Sequence, residues 1–201
     1  SAASDVYKRQ AMETAMLKYV MDYIRENYAN EIEILEAEVP VINEIPCVTL
    51  LEAKEILGNK GSGNKLDLEP EDEVSICEYA KEEFDSDFIF VTHFPSSKPP
   101  FYAMDSKEDP RLAYKFDLLF RGLEITSGGQ RIHDYDEQVA KMKAQGLNPD
   151  DFKYYLEAHK YGLPPHGGLG IGLERLVMKI INAQNIRTCS MFPRDINRLL
   201  P

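Results

Sequence analysis

Long apolar runs are missing from these 201 residues. Nothing approaches the roughly 18–20 consecutive apolar residues that a membrane span requires. A signal-peptide pattern is missing too, so a cytoplasmic chain with no membrane partner is expected. Cysteine is scarce: Cys47, Cys77 and Cys189 stand far apart and form no C-x-x-C pair. That spacing speaks against a disulfide framework or a zinc site and for free, buried thiols in a reducing compartment. Internal repeats and low-complexity tracts are absent. Two glycine signatures of phosphate binding are absent as well. No G-x-x-x-x-G-K-[ST] occurs, and GGLGIG (167–172) does not satisfy G-x-G-x-x-G. Only 29 residues follow Gly172, which leaves no room for a βαβ unit.

What is present describes one globular domain with a real core, 43% hydrophobic and 28% charged. The net charge of −11 is unevenly spread. Residues 1–110 hold 24 acids against 10 bases, whereas residues 111–201 hold 10 against 13. The first part repels nucleic acid; the second tolerates a polyanion. Residues 1–10 (SAASDVYKRQ) join poorly to the helical pattern after them. Val6–Gln10 can be spelled GTG TAT AAG AGA CAG, which matches a transposase adaptor of sequencing libraries. The segment is read as adaptor-derived or non-native and set apart from the fold.

Met16, Leu17, Val20, Ile24 and Tyr28 mark a helical stripe over about 12–30. VPVINEIPCVTL (39–50) reads as extended, and Thr49 caps a short helix to about Leu57. GNKGSGNK (58–65) is a loop, and an acidic helix is expected over 70–84. FIFVTHF (88–94) and FYAMD (101–105) read as strands. YKFDLLFRGLEIT divides at Arg121-Gly122 into a hairpin. Beyond it come two helices, one stopped by Gly146 and one opened by Asn148-Pro149 and closed by Gly162. A last helix begins near Gly172, with Leu173, Leu176, Val177, Ile180 and Ile181 on one face. Strands precede helices, with hairpins rather than βαβ alternation. The expected class is α+β, an antiparallel sheet flanked by helices.

Chemistry gathers in the second half. A two-residue turn at Arg121-Gly122 puts Leu119 opposite Glu124 and makes Asp117 a diagonal neighbour of Glu124, roughly 7–8 Å away. Two such acids repel unless a cation sits between them, and hard oxygens on a rigid sheet suit Mg²⁺. A solvated sheet face with unrelated acids is the plainer alternative. Glu124 and Arg131 are seven apart, so one bulged residue would give them a common face; Gly128-Gly129 is where a bulge is cheap. Arg131 then joins the acids as a bidentate carboxylate or phosphate binder, or simply neutralises one of them. In PPHGGLGIGLER (164–175) alternate glycines bare one strand face, and Arg175 follows in the first turn of a helix, near its positive end. A flat ring and an anion fit there. So does a mere glycine-rich turn.

Together these residues resemble the class II aminoacyl-tRNA synthetases, most closely the aspartyl-tRNA synthetases of the archaeal and eukaryotic branch. The likeness runs from about Met12 to Pro201. It is strongest in FDLLFRGLEITSGGQRIHDYD, NPDDFKYYLEAHKYGLPPHGGLGIGLERL and NIRTCSMFPRDINRLLP. GLGIGLER is similar to the family's motif 3, and SMFPRDINRLLP to its C-terminal ending. The resemblance implies that Arg175 is catalytic and holds the ATP γ-phosphate, with Gly172, Leu173 and Glu174 lining the nucleotide site. It implies Mg²⁺ on Asp117, Glu124 and Ser127. Ser127 and Arg131 would hold the L-aspartate substrate. Lys98 would join them in place of the basic residue that relatives carry before Pro-Phe-Tyr, where this chain has Pro99. His166 and His133 are read as structural, and Met16, Met142 and Met178 as core filling. The implied activity is ATP-dependent formation of aspartyl-adenylate and transfer to tRNA-Asp, with tRNA-Asn left open. The full-length protein is expected to be a homodimer. Residues 11–201 correspond to the C-terminal part of the catalytic domain, without the anticodon-binding domain or motifs 1 and 2, so this chain alone is expected to be inactive. The alternatives are an asparaginyl-tRNA synthetase, a non-catalytic synthetase-like binding protein and a generic α+β binding domain.

Overall fold

The computed structural model describes residues 6–197. Five strands lie side by side in chain order: β1 (Cys47–Thr49), β2 (Phe88–Thr92), β3 (Lys115–Phe120), β4 (Glu124–Arg131) and β5 (His166–Ile171). The sheet is α+β in setting but mixed. β1 pairs with β2 in parallel, and the other three neighbour pairs are antiparallel. The parallel pair departs from the purely antiparallel expectation. It arises because two helices, α3 (Leu50–Leu57) and α4 (Pro70–Phe84), intervene between β1 and β2 and return the chain to the same edge.

Local chemistry explains most boundaries. Thr49 accepts from Glu52 N while Glu52 accepts from Thr49 N, a reciprocal capping box that opens α3. Pro70 at the first position, with Glu71, Asp72 and Glu73 in the first turn, opens α4. Buried Asp72 accepts from Lys54 Nζ at 2.6 Å and from the Ser62 and Glu69 amides, tying the 58–69 loop to α4. Arg121 (φ 47°) and Gly122 (φ 79°) form the β3–β4 turn. The positive φ at both positions matches the twist of a tight hairpin.

FYAMD forms no strand. Ala103 and Asp105 make only isolated bridges, to Arg131 and Ala113. Ala103 N–H turns back onto Pro100 O at 2.9 Å, and the prolines at 99, 100 and 110 deny the segment a ladder. In the second half α5 (Tyr135–Ala144) is capped by Asp134, and a 3₁₀ turn at Pro149–Phe152 leads into α6 (Lys153–Lys160).

Helices cover the two sheet faces unequally. On one face, α1 (Val6–Asn27) and α7 (Leu173–Ile180) pack Leu17, Met21, Leu176 and Ile180 against Phe88, Phe90, Phe116, Leu118 and Phe120. Phe88 and Phe120, directly paired across strands, stack at 4.3 Å. Each such side chain contributes about 1.5–3 kcal/mol by leaving water. On the other face, α3 and α4 pack Leu50, Ala53, Ile76 and Ala80 against Ile89, Val91 and Leu119. That cover ends at β3, and over β4 and β5 the face is open.

α1 begins at Val6, inside the segment set apart in the sequence, and Arg9 and Gln10 are buried. A short helix, α2 (Ala29–Ile34), follows. The buried stripe of α1 is Arg9, Gln10, Glu13, Leu17 and Met21. Met16 and Tyr28, expected in the stripe, are exposed. Met142 is fully buried as expected. Cys77 is a buried thiol; Cys47 is exposed, against expectation, because β1 is an edge strand. The last four residues of the FPRD-containing ending lie outside the described residues.

Candidate active site

A cavity of about 290 Å³ opens where the helical cover ends. Its walls are Pro99, Tyr102, Lys115, Ser127 and Arg131, with Gly128, Gly129, Gly168 and Gly170 beneath. Register explains this lining. Asp117 opposes Ser127, which opposes Gly170, and Lys115 opposes Gly129, which opposes Gly168. Cross-strand partners share a face, and the period of two adds Arg131 and His166. A Cβ on Gly170 would meet nothing within 4 Å, and one on Gly168 would meet only the Arg131 guanidinium, at 3.6 Å. Along β5 the floor is bare at these two positions, as the glycine spacing implied, whereas a Cβ on Gly129 of β4 would stand 2.5 Å from Tyr114 O. On the reverse face the glycines are packed instead: a Cβ on Gly128 would stand 2.6 Å from the Phe116 ring.

The bulge is not at Gly128-Gly129. Leu119 opposes Glu124, as the hairpin predicted, but Leu118 opposes Thr126, so the extra residue is Ile125. Hairpin closure at Arg121-Gly122 and the packed reverse-face glycines displace it toward the turn. The expected consequence still follows, a common face for Glu124 and Arg131, and the register places Ser127 on that face as well.

Charges in the site are partnered at one end and free at the other. Lys115 forms a close ion pair with Asp117, a K-x-D spacing that puts both on one strand face, and its ammonium lies 3.8 Å from the Phe94 ring centroid. Arg175 Nη1 donates to Glu124 O at 2.6 Å and stands 3.5 Å from Glu124 Oε1. Glu124 N–H donates to Glu73 Oε2 at 2.9 Å. Arg131, by contrast, has no carboxylate partner among the described residues. It lies over the Tyr102 ring, 4.8 Å from its centroid.

Burial raises the Asp117 and Glu124 carboxyls; Lys115 and Ser127 at Asp117, and Lys115 and Arg175 at Glu124, offset this in part, while the neighbouring acids add to it. Burial raises Glu73 in the same way. Asp117 Oδ1 is a buried acceptor with no hydrogen-bond partner among the described residues. A raised, crowded set of hard oxygens with one lone pair unused fits a divalent cation. Among the described residues no three His, Cys, Asp or Glu side chains form a ready-made metal cage. An ion here would complete its shell with other oxygens, as Mg²⁺ does with water and phosphate.

Gly172 caps α7 and donates to Ile125 O at 2.7 Å. Leu173 and Glu174 are exposed in the first turn beside Arg175. These four residues adjoin the Glu124 end and do not line the cavity. Lys98, expected near Arg131, instead stands 3.4 Å from Asp67, while buried Pro99 lines the cavity. His166 Nδ1 contacts Pro164 O at 3.0 Å, a turn contact. Sequence reasoning missed Glu73, which no local pattern ties to Glu124, and Arg121. The Arg121 guanidinium donates to the Glu38 and Lys179 carbonyls at 3.1 Å, stapling the hairpin turn to the end of α7.

Residues 3–196 match the model for class II tRNA synthetases (D, K and N), and the chain belongs to that family. It is 46% identical over 192 residues to an aspartate–tRNA(Asp/Asn) ligase of Thermus thermophilus, covering 94% of this chain and 45% of that protein. It is 42% identical over 189 residues to an aspartate–tRNA(Asp) ligase of Pyrococcus furiosus, covering 92% and 43%. Among solved structures, an aspartyl tRNA synthetase from Entamoeba histolytica superposes with a TM-score of 0.92 at 31% identity, covering 98% of this chain and 42% of that one. An asparaginyl-tRNA synthetase from Pyrococcus horikoshii superposes at 0.86 and 30% identity, covering 98% and 48%. The chain thus spans less than half the length of the curated relatives it matches. Among the described residues no helix is long and apolar enough to cross a membrane.

Proposed function

We propose that this chain is the motif 3-bearing portion of an aspartate–tRNA ligase, which activates L-aspartate with ATP and transfers it to tRNA-Asp. The observation that carries the reading is Arg131, a guanidinium with no carboxylate partner among the described residues, in a cavity where Gly168 and Gly170 leave the floor bare. A planar fork without a partner favours a ligand carboxylate, and the aspartate side chain supplies one. An asparagine side chain would leave that charge unanswered, which sets this reading above the asparaginyl alternative.

Gly168 and Gly170 leave room for the substrate, and Ser127 offers a hydroxyl beside it. At the other end Arg175, with Gly172, Leu173 and Glu174 around it, meets the ATP phosphates at the start of α7. Asp117, Glu124 and Ser127 would hold Mg²⁺, which supplies charge neutralisation for the phosphates. The substrate carboxylate attacks the α-phosphate in line, giving aspartyl-adenylate and releasing pyrophosphate. Positioning and electrostatics suffice for such a step, with no covalent nucleophile on the protein.

The whole protein would be a cytoplasmic homodimer whose anticodon-binding domain and motifs 1 and 2 lie outside these 201 residues. Residues 1–10 would be adaptor-derived; a genomic read showing SAASDVYKRQ as native coding sequence would contradict that. ATP–pyrophosphate exchange tests the function. The product of the complete gene should catalyse it with aspartate and not with asparagine, and the 201-residue chain alone should not. Exchange driven by asparagine, or none with aspartate, would refute the reading.

A further inference from the structure

β5 ends its pairing at Ile171, opposite Thr126. Glu124 and Ile125 therefore have no strand partner on that side, and other groups must take their backbone atoms. Gly172 N–H donates to Ile125 O, and Arg175 Nη1 donates to Glu124 O. Both come from the start of α7, which the proposed function already uses. The third group is Glu73, whose Oε2 accepts from Glu124 N–H at 2.9 Å. Glu73 is half-buried in the first turn of α4, 51 positions away in sequence. It takes no part in the proposed chemistry.

The bulge that these contacts hold decides what faces the cavity. Without the extra residue Asp117 would oppose Thr126, and Ser127 would fall on the packed face with Phe116. With it Asp117 opposes Ser127, and Glu124 and Ser127, three apart, point the same way. We propose that Glu73 is a positioning residue, whose carboxylate anchors the Glu124 amide and so holds the bulge that assembles Asp117, Glu124 and Ser127 on one face. The inference rests on reading that face as the metal–nucleotide site. A competing role is plain helix support, since Glu71 and Asp72 share the first turn and the helix dipole favours acids there. The two roles differ in what they need. Dipole support needs the charge; anchoring needs only an acceptor oxygen at that place.

Glu73→Ala, Glu73→Gln and Glu73→Asp variants of the 201-residue chain separate them. Two quantities are read: the exchange rate of the Glu124 amide by NMR, against the amides of α4, and the affinity for Mn²⁺–ATP by calorimetry. In Glu73→Ala the Glu124 amide should exchange about tenfold faster or more, and Mn²⁺–ATP should bind about tenfold more weakly. Glu73→Gln should return both to within about threefold of the parent, with α4 protection unchanged throughout. A Gln variant as impaired as Ala would overturn the proposal, and so would unchanged Glu124 exchange in Ala. Should Glu73→Ala not fold, Glu73→Asp, one methylene short, must show the same localised acceleration; parental exchange there would overturn it equally. If the parent chain binds no Mn²⁺–ATP, the metal–nucleotide reading fails, while the exchange rates still decide whether Glu73 anchors the bulge.

Discussion

The two ends of β4 carry charge in opposite ways. At the Glu124 end each charge already has an answer: Lys115 on Asp117, Arg175 on Glu124, and the Glu124 amide on Glu73. At the Arg131 end the guanidinium rests on Tyr102 and no carboxylate among the described residues answers it. One strand thus offers a closed set of contacts that a ligand must exchange and an open group that a ligand can simply meet. The closed end suits phosphates and a cation, which bring their own charges. The open end suits recognition of one carboxylate.

The largest effect is expected where the contrast is sharpest. Arg131→Ala should cost about 2–3 kcal/mol in binding a non-hydrolysable aspartyl-adenylate analogue, measured by calorimetry. It should leave the melting temperature nearly unchanged, since a half-exposed cation–π contact contributes under about 1 kcal/mol. A collapse of the fold would mean the open end is structural.

Behind the strand, Glu13 of α1 is fully buried beside the Thr126 hydroxyl, whose contact only partly offsets the cost of burying the carboxylate. Burial pushes the Glu13 carboxyl up to about 7 from its ordinary 4.5. The folded chain then holds a proton that the unfolded chain releases at lower pH. Stability from this group is full below 4.5 and is lost as pH rises through 7. Urea titrations should show a decline of about 2–3 kcal/mol across that window, removed in Glu13→Gln. An equal decline in Glu13→Gln would assign it to other groups.

Midway along β4, Gly128→Ala should destabilise the chain by about 1–3 kcal/mol, because its Cβ meets the Phe116 ring and Leu169. Gly170→Ala, with open space above it, should leave stability unchanged while narrowing the cavity. Similar melting temperatures for the two variants would dissolve the distinction between packed and bare faces. A smaller loss than at Gly128 is expected at the closed end. Arg175→Gln should cost less than about 1 kcal/mol of stability, because its ion pair is half-exposed and Glu73 and Gly172 still hold the bulge. A larger loss in chemical denaturation would make Arg175 a structural strut rather than a phosphate clamp.

What could be read from the chain was mostly local or periodic. Thr49 three residues before Glu52, Pro70 before a run of acids, and Arg121-Gly122 between apolar strands each carry their own geometry. The glycine spacing of β5 carries its bare face in the same way. The bulge needed one more residue on β4, which the seven-residue gap from Glu124 to Arg131 demanded. Its position did not follow, because β5 ending at Ile171 and α4 passing near Glu124 are distant in sequence. Glu73 was hidden for the same reason, inside an acidic helix whose charges look alike. FYAMD has a strand's composition, but the prolines around it bend the chain back. Lys98 was placed by analogy with relatives, and Asp67, 31 positions upstream, takes it instead.

The most direct test of the account compares two ligands on the 201-residue chain. Calorimetry with the sulfamoyl analogues of aspartyl- and asparaginyl-adenylate reads whether Arg131, which has no carboxylate partner among the described residues, selects a carboxylate. The aspartyl compound should bind at least about tenfold more tightly, and Arg131→Ala should abolish the preference. Equal affinities in the parent chain, or a preference for the asparaginyl compound, would contradict it.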